Sequence, residues 1–385
     1  MTQKIRDFVP ASCELLALGE PAHPSQEPAF GNVRNDLFAA LADQGFRSIA
    51  LETDRVAAIA VDDYVQHGTG NLDTAMAGGF SHGFSGLDAN RLLVAWMREY
   101  NEGRPAGERL AFHGFDVPSE NMSAPSPRRH LEYARDYLGL DLDLAALLGP
   151  DERWSRQEAI LDPVESLGDG PEAARSRAIA DDMLTSLYAR APELIAATSR
   201  AAWFRARTHL TAGLGLLRYH ARAARRIEES ARISGLMATR DALMAQNLLD
   251  IRTIEAERGP TLVFAHNSHL QRNRSSMSMA GMEIGWSSAG AIAGSLLGGR
   301  YTVIIGSMGR SEALGLGEPE PDTYEGFLQR NTTTWSLTSA AEIPPARTRA
   351  DMTPGRHYAA LTQTTVAAAD AVLHVGVAGA QAADG

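Results

Sequence analysis

Glu14-Leu-Leu-Ala-Leu-Gly19, then the apolar stripe Phe30, Val33, Leu37, Phe38 and Leu41, then Phe46-Arg-Ser-Ile-Ala-Leu51 decide the fold. The first piece is a short apolar run closed by a glycine and reads as a buried strand. The second recurs at helical spacing across residues 28–45, with Gly45 as a plausible stop. The third is another strand and delivers Glu52 at its carboxyl end. A further helix is expected to begin near Thr53 or Asp54, the better N-cap residues, which leaves Glu52 without a capping role. Strand, helix and strand in this order make a βαβ unit, whose economical sheet is parallel.

Outward from this unit the strand pattern returns. Arg109–Phe115 is apolar and ends at Asp116; Thr261–Ala265 is apolar and ends at His266. Tyr301–Ile305 is β-branched and ends at Gly306, and Ala371–Val375 supplies a last strand. Between about 121 and 255 the chain is rich in Ala, Leu, Arg and Glu and reads as helices. Residues 308–325, with Gly, Pro and acidic side chains, read as a loop, and the tail after about 376 as frayed. The expected fold is α/β, with a mostly parallel central sheet flanked by helices and a large inserted helical subdomain. It reads as a single domain, with an α/β core at about 1–120 and 256–378.

Bulk properties narrow the function. The 385 residues include 44% hydrophobic side chains, enough for a sizeable core, and carry a net charge of −11. That balance argues against a nucleic-acid partner, which would need a basic face. The single cysteine, Cys13, allows no internal disulfide and no cysteine cluster, and reads as a buried small residue. One thiol suits a reducing compartment, no secretion signal or membrane span is read, and the expectation is a soluble cytoplasmic protein acting on a small molecule. The oligomeric state is not legible. Gly68-Thr-Gly70 and Gly78-Gly79 lack the Lys and Ser/Thr of a phosphate loop. Trp96 and Trp286 read as core or pocket wall, and Asp62 and Asp63 as a solvated helix face.

In open parallel sheets, ligands bind beyond the carboxyl ends of the strands. Four polar groups fall at such ends here: Glu20 with His23, Glu52, Asp116, and His266 with His269. A histidine beyond a strand end is a candidate base because its ordinary pKa is ~6.5. Glu20, three residues before His23, would orient the ring or hold water; the competing reading is a polar loop capping the next helix. His266 and His269 could converge on one point, to bind metal or to divide water activation and substrate binding; the competing reading is a turn with surface histidines. A metal at His23, His266 and His269 is the alternative to a cofactor-free site.

Leu18-Gly-Glu-Pro-Ala-His23, Glu27, Arg34, Gly45-Phe46 and Leu51-Glu52 together resemble the opening of the erythromycin esterase family. Trp96-Met-Arg-Glu-Tyr-Asn101, His113-Gly-Phe-Asp116 and Ala265-His-Asn-Ser-His269 follow in order, and Tyr301–Gly306 and Asp370–Val375 fit its closing half. The resemblance implies an α/β core, a large helical portion and a deep cleft. It implies hydrolysis of an ester or lactone of a natural-product-like molecule without a required metal, in antibiotic resistance or secondary metabolism. His23 matches the histidine thought to activate water, and Glu20 and Arg34 match flanking site residues. Glu52 matches a supporting carboxylate, and His266 and His269 match paired site histidines. Arg34, Asp116 and Asn267 are the expected substrate contacts. The expected mechanism is direct attack by water, without a covalent intermediate. Two rival readings keep the same side chains: elimination, cyclisation or acyl transfer in biosynthesis, and a metal- or haem-binding protein.

Overall fold

A computed structural model describes residues 5–23, 27–120, 122–352 and 357–377. Among the described residues nine strands run in chain order: β1 (Leu15–Glu20), β2 (Ser48–Asp54), β3 (Ala111–Asp116), β4 (Thr261–His266), β5 (Ser275–Met279), β6 (Met282–Trp286), β7 (Tyr301–Arg310), β8 (Trp335–Ser339) and β9 (Ala371–Val377). Seven of them form one sheet in the order β3-β2-β4-β1-β7-β9-β8, and β5 with β6 forms a separate hairpin. All neighbours in the large sheet are parallel except β8, which runs antiparallel to β9 at the edge. The mostly parallel sheet flanked by helices is the fold expected from the sequence.

Strand alternation distributes the core over both faces. Leu16, Leu18, Ile49, Leu51, Leu262 and Phe264 point to one face, against Phe30, Val33, Leu37, Phe38 and Leu41 of the helix Ala29–Ala42. Full burial of such a side chain contributes about 1.5–3 kcal/mol, so this stripe, rather than helix propensity, seats the helix. Leu15, Ala17, Ala50, Val263 and Ala265 point the other way, onto Met244, Leu248 and Ile251 of the helix Glu229–Glu255. Between β3 and β4 the described chain is helical, and its two longest pieces are Arg200–Ala223 and Glu229–Glu255. Leu131, Trp154, Met183, Leu187, Trp203 and Leu210 give this region its own apolar cluster. Among the described residues no helix is long and apolar enough to cross a membrane.

Several expectations are corrected. β2 continues through Glu52 to Asp54, and the next helix begins at Ala58, not near Thr53. Thr53 and Asp54 instead hold Ser81: the Ser81 N–H donates to Thr53 Oγ1 at 2.8 Å, and Asp54 N–H donates to Ser81 Oγ at 2.9 Å. β7 does not end at Gly306 but runs to Arg310, and the stretch read as loop to 325 contains the start of the helix Tyr324–Gln329. β8 and the β5–β6 hairpin carried too few apolar residues to be read as strands. Asp62 and Asp63 are not a solvated face, because Asp62 Oδ1 accepts the Phe112 N–H at 2.9 Å and Asp63 pairs with Arg205. Cys13 and Trp286 are buried, and Trp96 packs edge-on against Phe38. The tail beyond Val377 lies outside the described residues.

Gly306 of β7 lies tight against the end of β1. A Cβ there would sit 2.3 Å from the Gly19 carbonyl oxygen and 2.9 Å from Pro21 Cδ, whereas one at Gly107 would meet nothing within 4 Å. Gly306→Ala is therefore expected to lose about 1–3 kcal/mol in urea unfolding, against no measurable loss for Gly107→Ala. Equal midpoints for the two variants would show that the strands separate without strain.

Candidate active site

β2, β4 and β1 end side by side, and their register decides which residues meet. Glu20 pairs with His266 across β1 and β4, and Leu51 pairs with Phe264 across β2 and β4. Glu52 therefore stands beside the end of β4. Its Oε2 accepts the His266 backbone N–H at 2.9 Å. Its Oε1 accepts from Arg240 Nη2 at 3.2 Å and lies 3.4 Å from His269 Nε2. Glu52 is only 5% exposed, and burial by itself pushes a carboxyl pKa up. Against burial, His269, Arg240 and His23 bring Glu52 down to about 2. It is ionised at any working pH.

Arg240 bridges two carboxylates. Its Nε donates to Asp116 Oδ1 at 3.0 Å and its Nη2 to Asp116 Oδ2 at 2.5 Å, beside the bond to Glu52. Asp116 is fully buried and also accepts the Val117 N–H at 2.7 Å. Burial raises its pKa, but Arg240 and His82 outweigh burial and hold it below the carboxylate range. His82 closes the other side, with Nε2 2.8 Å from Asp116 Oδ2 and Nδ1 2.9 Å from Glu120 Oε2. Its backbone is left-handed, with φ 57°, a conformation costly for a residue with a Cβ and held here by the Ser81 bonds to β2.

The three central histidines lie in different electrostatic states. His269 places Nδ1 3.0 Å from both Asp241 oxygens; burial disfavours its charge, but Asp241 and Glu52 raise its pKa above the ordinary value. Its charged form is therefore favoured. His266 accepts the Ser268 N–H on Nδ1 at 3.2 Å, with Ser268 Oγ 2.7 Å away. Burial first, and the charges of His23 and His269, drive it down to about 3 despite Glu52. It stays neutral with its lone pair occupied. His23 stacks on His266, ring centroids 5.1 Å apart and planes at 29°. Its Nδ1 is buried and has no hydrogen-bond partner. Burial lowers its pKa while Glu52 opposes the shift. Glu20, buried next to them, has an unpartnered Oε2; burial and then the charge of Glu52 raise its pKa well above the usual range.

The structure thus brings together Glu20, His23, Glu52, His266, His269 and Asp116. Two expected substrate contacts have other work. Arg34 is buried, donates from Nη1 to Asn90 Oδ1 at 2.9 Å and from Nη2 to Asn35 Oδ1 at 2.8 Å, and lies 4.9 Å over the Phe264 ring. It ties the helix Ala29–Ala42 to the helix Asp88–Asn101. Asn267 uses both amide atoms on Gly306: Nδ2 donates to its carbonyl at 2.8 Å, and Oδ1 accepts its N–H at 3.0 Å. Asp116 orients Arg240 and His82. Arg240, Asp241 and His82 were not singled out from sequence. Arg240-Asp241, a charged pair inside the otherwise apolar Leu236–Met244 run, was the available signal; His82 lies in a loop that offers none.

As metal ligands the histidines are unequal. His266 has Nδ1 engaged with Ser268, His269 is held between two carboxylates, and the buried Nδ1 of His23 has no hydrogen-bond partner. Among the described residues no group of three or more His, Cys, Asp or Glu side chains is arranged to hold a metal ion.

A family model described as erythromycin esterase matches residues 41–375. The chain belongs to the erythromycin esterase family. The match includes Glu52, Asp116, Arg240, His266 and His269, and begins after Glu20 and His23. The fold agrees with a histidine-to-asparagine variant of the erythromycin esterase EreC in its open conformation, at TM-score 0.65 and 18% identity, covering 96% of this chain and 92% of that one. A Bacillus cereus protein gives TM-score 0.65 at 16% identity, covering 97% and 90%. A succinoglycan biosynthesis protein gives 0.66 at 13%, also covering 97% and 90%. No curated protein matches the chain by sequence. Family membership supports a hydrolase-like function on a small molecule.

If Asn267 holds β4 to β7, Asn267→Ala should cost about 1–3 kcal/mol for each orphaned Gly306 group in chemical unfolding. A substrate contact would behave otherwise, leaving stability unchanged and raising KM alone.

Proposed function

We propose that this erythromycin esterase family member hydrolyses an ester or lactone of a natural-product-like small molecule, by direct attack of water and without a metal cofactor. The observation that carries the reading is the buried, unpartnered Nδ1 of His23 beside an ionised Glu52. His266 is too weak a base and has its lone pair engaged; for His269, Asp241 and Glu52 favour the charged form. Of the three, His23 is the one whose nitrogen is both neutral and free to accept a proton.

In this reading His23 takes a proton from water as the oxygen attacks the substrate carbonyl, and Glu52 stabilises the imidazolium that forms. The negative charge that develops on the carbonyl oxygen faces two fixed cations, His269 and Arg240. The bonds from Arg240 to its carboxylates run through Nε and Nη2, which leaves Nη1 for the oxyanion. Such preorganised charge is worth several kcal/mol in a dry site. Glu20, whose neutral form burial favours, gives a proton to the departing alkoxide, the proton held on His23 then passes back to Glu20, and the acid and alcohol products leave. Asp241 and Asp116 touch no reacting atom; they hold His269 and Arg240 in their charged forms and orient them.

His23→Asn should lower kcat/KM by roughly 10²–10⁴-fold with an unchanged melting temperature. Turnover at the wild-type rate would remove His23 from the mechanism. Because the His23 pKa is lowered, the base is already neutral below pH 6.5, so the acid limb of the activity profile should lie below that value. An acid limb above pH 7 would point to a different base. Reaction in heavy-oxygen water should place the label in the carboxylic acid product; an unlabelled product would favour elimination, cyclisation or acyl transfer at the same residues.

A further inference from the structure

Asp116, which holds Arg240, also forms part of the wall of a second cavity of about 210 Å³. The cavity lies where the ends of β2 and β3 meet the helices Arg200–Ala223 and Glu229–Glu255. Its basic side chains are Arg55, just after β2, and Arg207, from the first of these helices. Both guanidiniums pair with one carboxylate, Asp250. The arginine side chains are 7% and 11% exposed, and Asp250 is 24% exposed. The other acidic wall residue, Asp116, is already matched by Arg240 and His82.

One carboxylate therefore serves two buried guanidiniums; beyond it Arg207 has only uncharged partners among those seen, the Trp203 and Phe204 ring faces at 5.4 and 4.9 Å and the Tyr188 hydroxyl at 3.3 Å. A buried cation without a full carboxylate partner is costly. Burial first, and then the charge of Arg207, bring Arg55 down to about 9, as expected where compensation is short. The Arg55 backbone N–H donates to the Asp116 carbonyl at 3.1 Å, and its Nη1 to the Asn247 carbonyl at 2.8 Å, so the guanidinium is held in place. Val117, Leu184 and Leu243 supply apolar wall. Pockets for drug-sized ligands run roughly 300–1,000 Å³, so this one suits a substituent rather than a whole natural product.

We propose that this cavity is an oxyanion subsite, in which Arg55 and Arg207 receive a carboxylate or phosphate group carried by the ester whose carbonyl reaches His23. The attachment of the anion to a substrate rests on the hydrolase reading; the binding of an anion does not. Two fixed guanidiniums suit the paired oxygens of either group.

Calorimetric titration of the full chain at low ionic strength, with succinate and with inorganic phosphate, reads the subsite directly. Saturable binding is expected, weakened about ten- to a hundredfold in Arg207→Gln and strengthened in Asp250→Asn. The tighter probe identifies the group. Arg207→Gln leaves Arg55 and Asp250 as a balanced pair, and its melting curve verifies the fold. No binding to the wild type, or affinities unchanged in both variants, overturns the proposal. A second comparison uses para-nitrophenyl acetate and the mono-para-nitrophenyl ester of succinate. The wild type should favour the anionic ester at least about tenfold in kcat/KM, and Arg207→Gln should lose the preference. Equal rates in the wild type break the link between subsite and active site. No turnover of either ester, with anion binding intact, counts against the hydrolase reading alone.

Discussion

The buried carboxylate of Glu52 is the constraint around which the site is assembled. An ionised group at such depth persists only if nearby donors and cations replace water. It draws on a backbone N–H from the end of β4, a guanidinium from the helix Glu229–Glu255 and an imidazole from the turn after β4. Glu52 and two segments distant from it in sequence are thereby held at one point. Asp116 and Asp241 extend the scheme by one partner each, so that Arg240 and His269 each lie between two carboxylates.

This alternation of fixed charges separates three histidines that look equivalent in the sequence. Flanking carboxylates favour the charged form of His269, a Ser268 N–H on Nδ1 and burial keep His266 neutral, and His23 is left with an unpartnered nitrogen. Chemical role here follows from partners. Glu20 and Glu52 show the same division among carboxylates: one lacks a hydrogen bond on Oε2 and is pushed towards its neutral form, while the other is surrounded by donors and pushed towards its ionised form.

The helical region between β3 and β4 contributes both chemistry and shape. Arg240 and Asp241 come from its last helix, and Arg207 from the one before it. The sheet presents strand ends, as parallel sheets do, and the helices carry the cations that face them. A difference in this region would change what surrounds the site while leaving the strand-end residues in register.

By itself the sequence determined the parallel core, because the apolar runs at Leu15–Gly19, Ser48–Leu51 and Thr261–Ala265 can be satisfied only in buried strands and end in polar residues. That pattern also marked Glu20, His23, Glu52, Asp116, His266 and His269, since strand ends are where such side chains meet ligands. The edge strand β8 and the β5–β6 hairpin escaped it, being short and half polar. Only the tertiary structure decided that Arg34 and Asn267 hold the scaffold, that β7 runs past Gly306, and that Arg240, Asp241 and His82 join the site. Those facts depend on which distant backbone and charged groups come within hydrogen-bonding distance, and local apolar periodicity carries no record of such contacts.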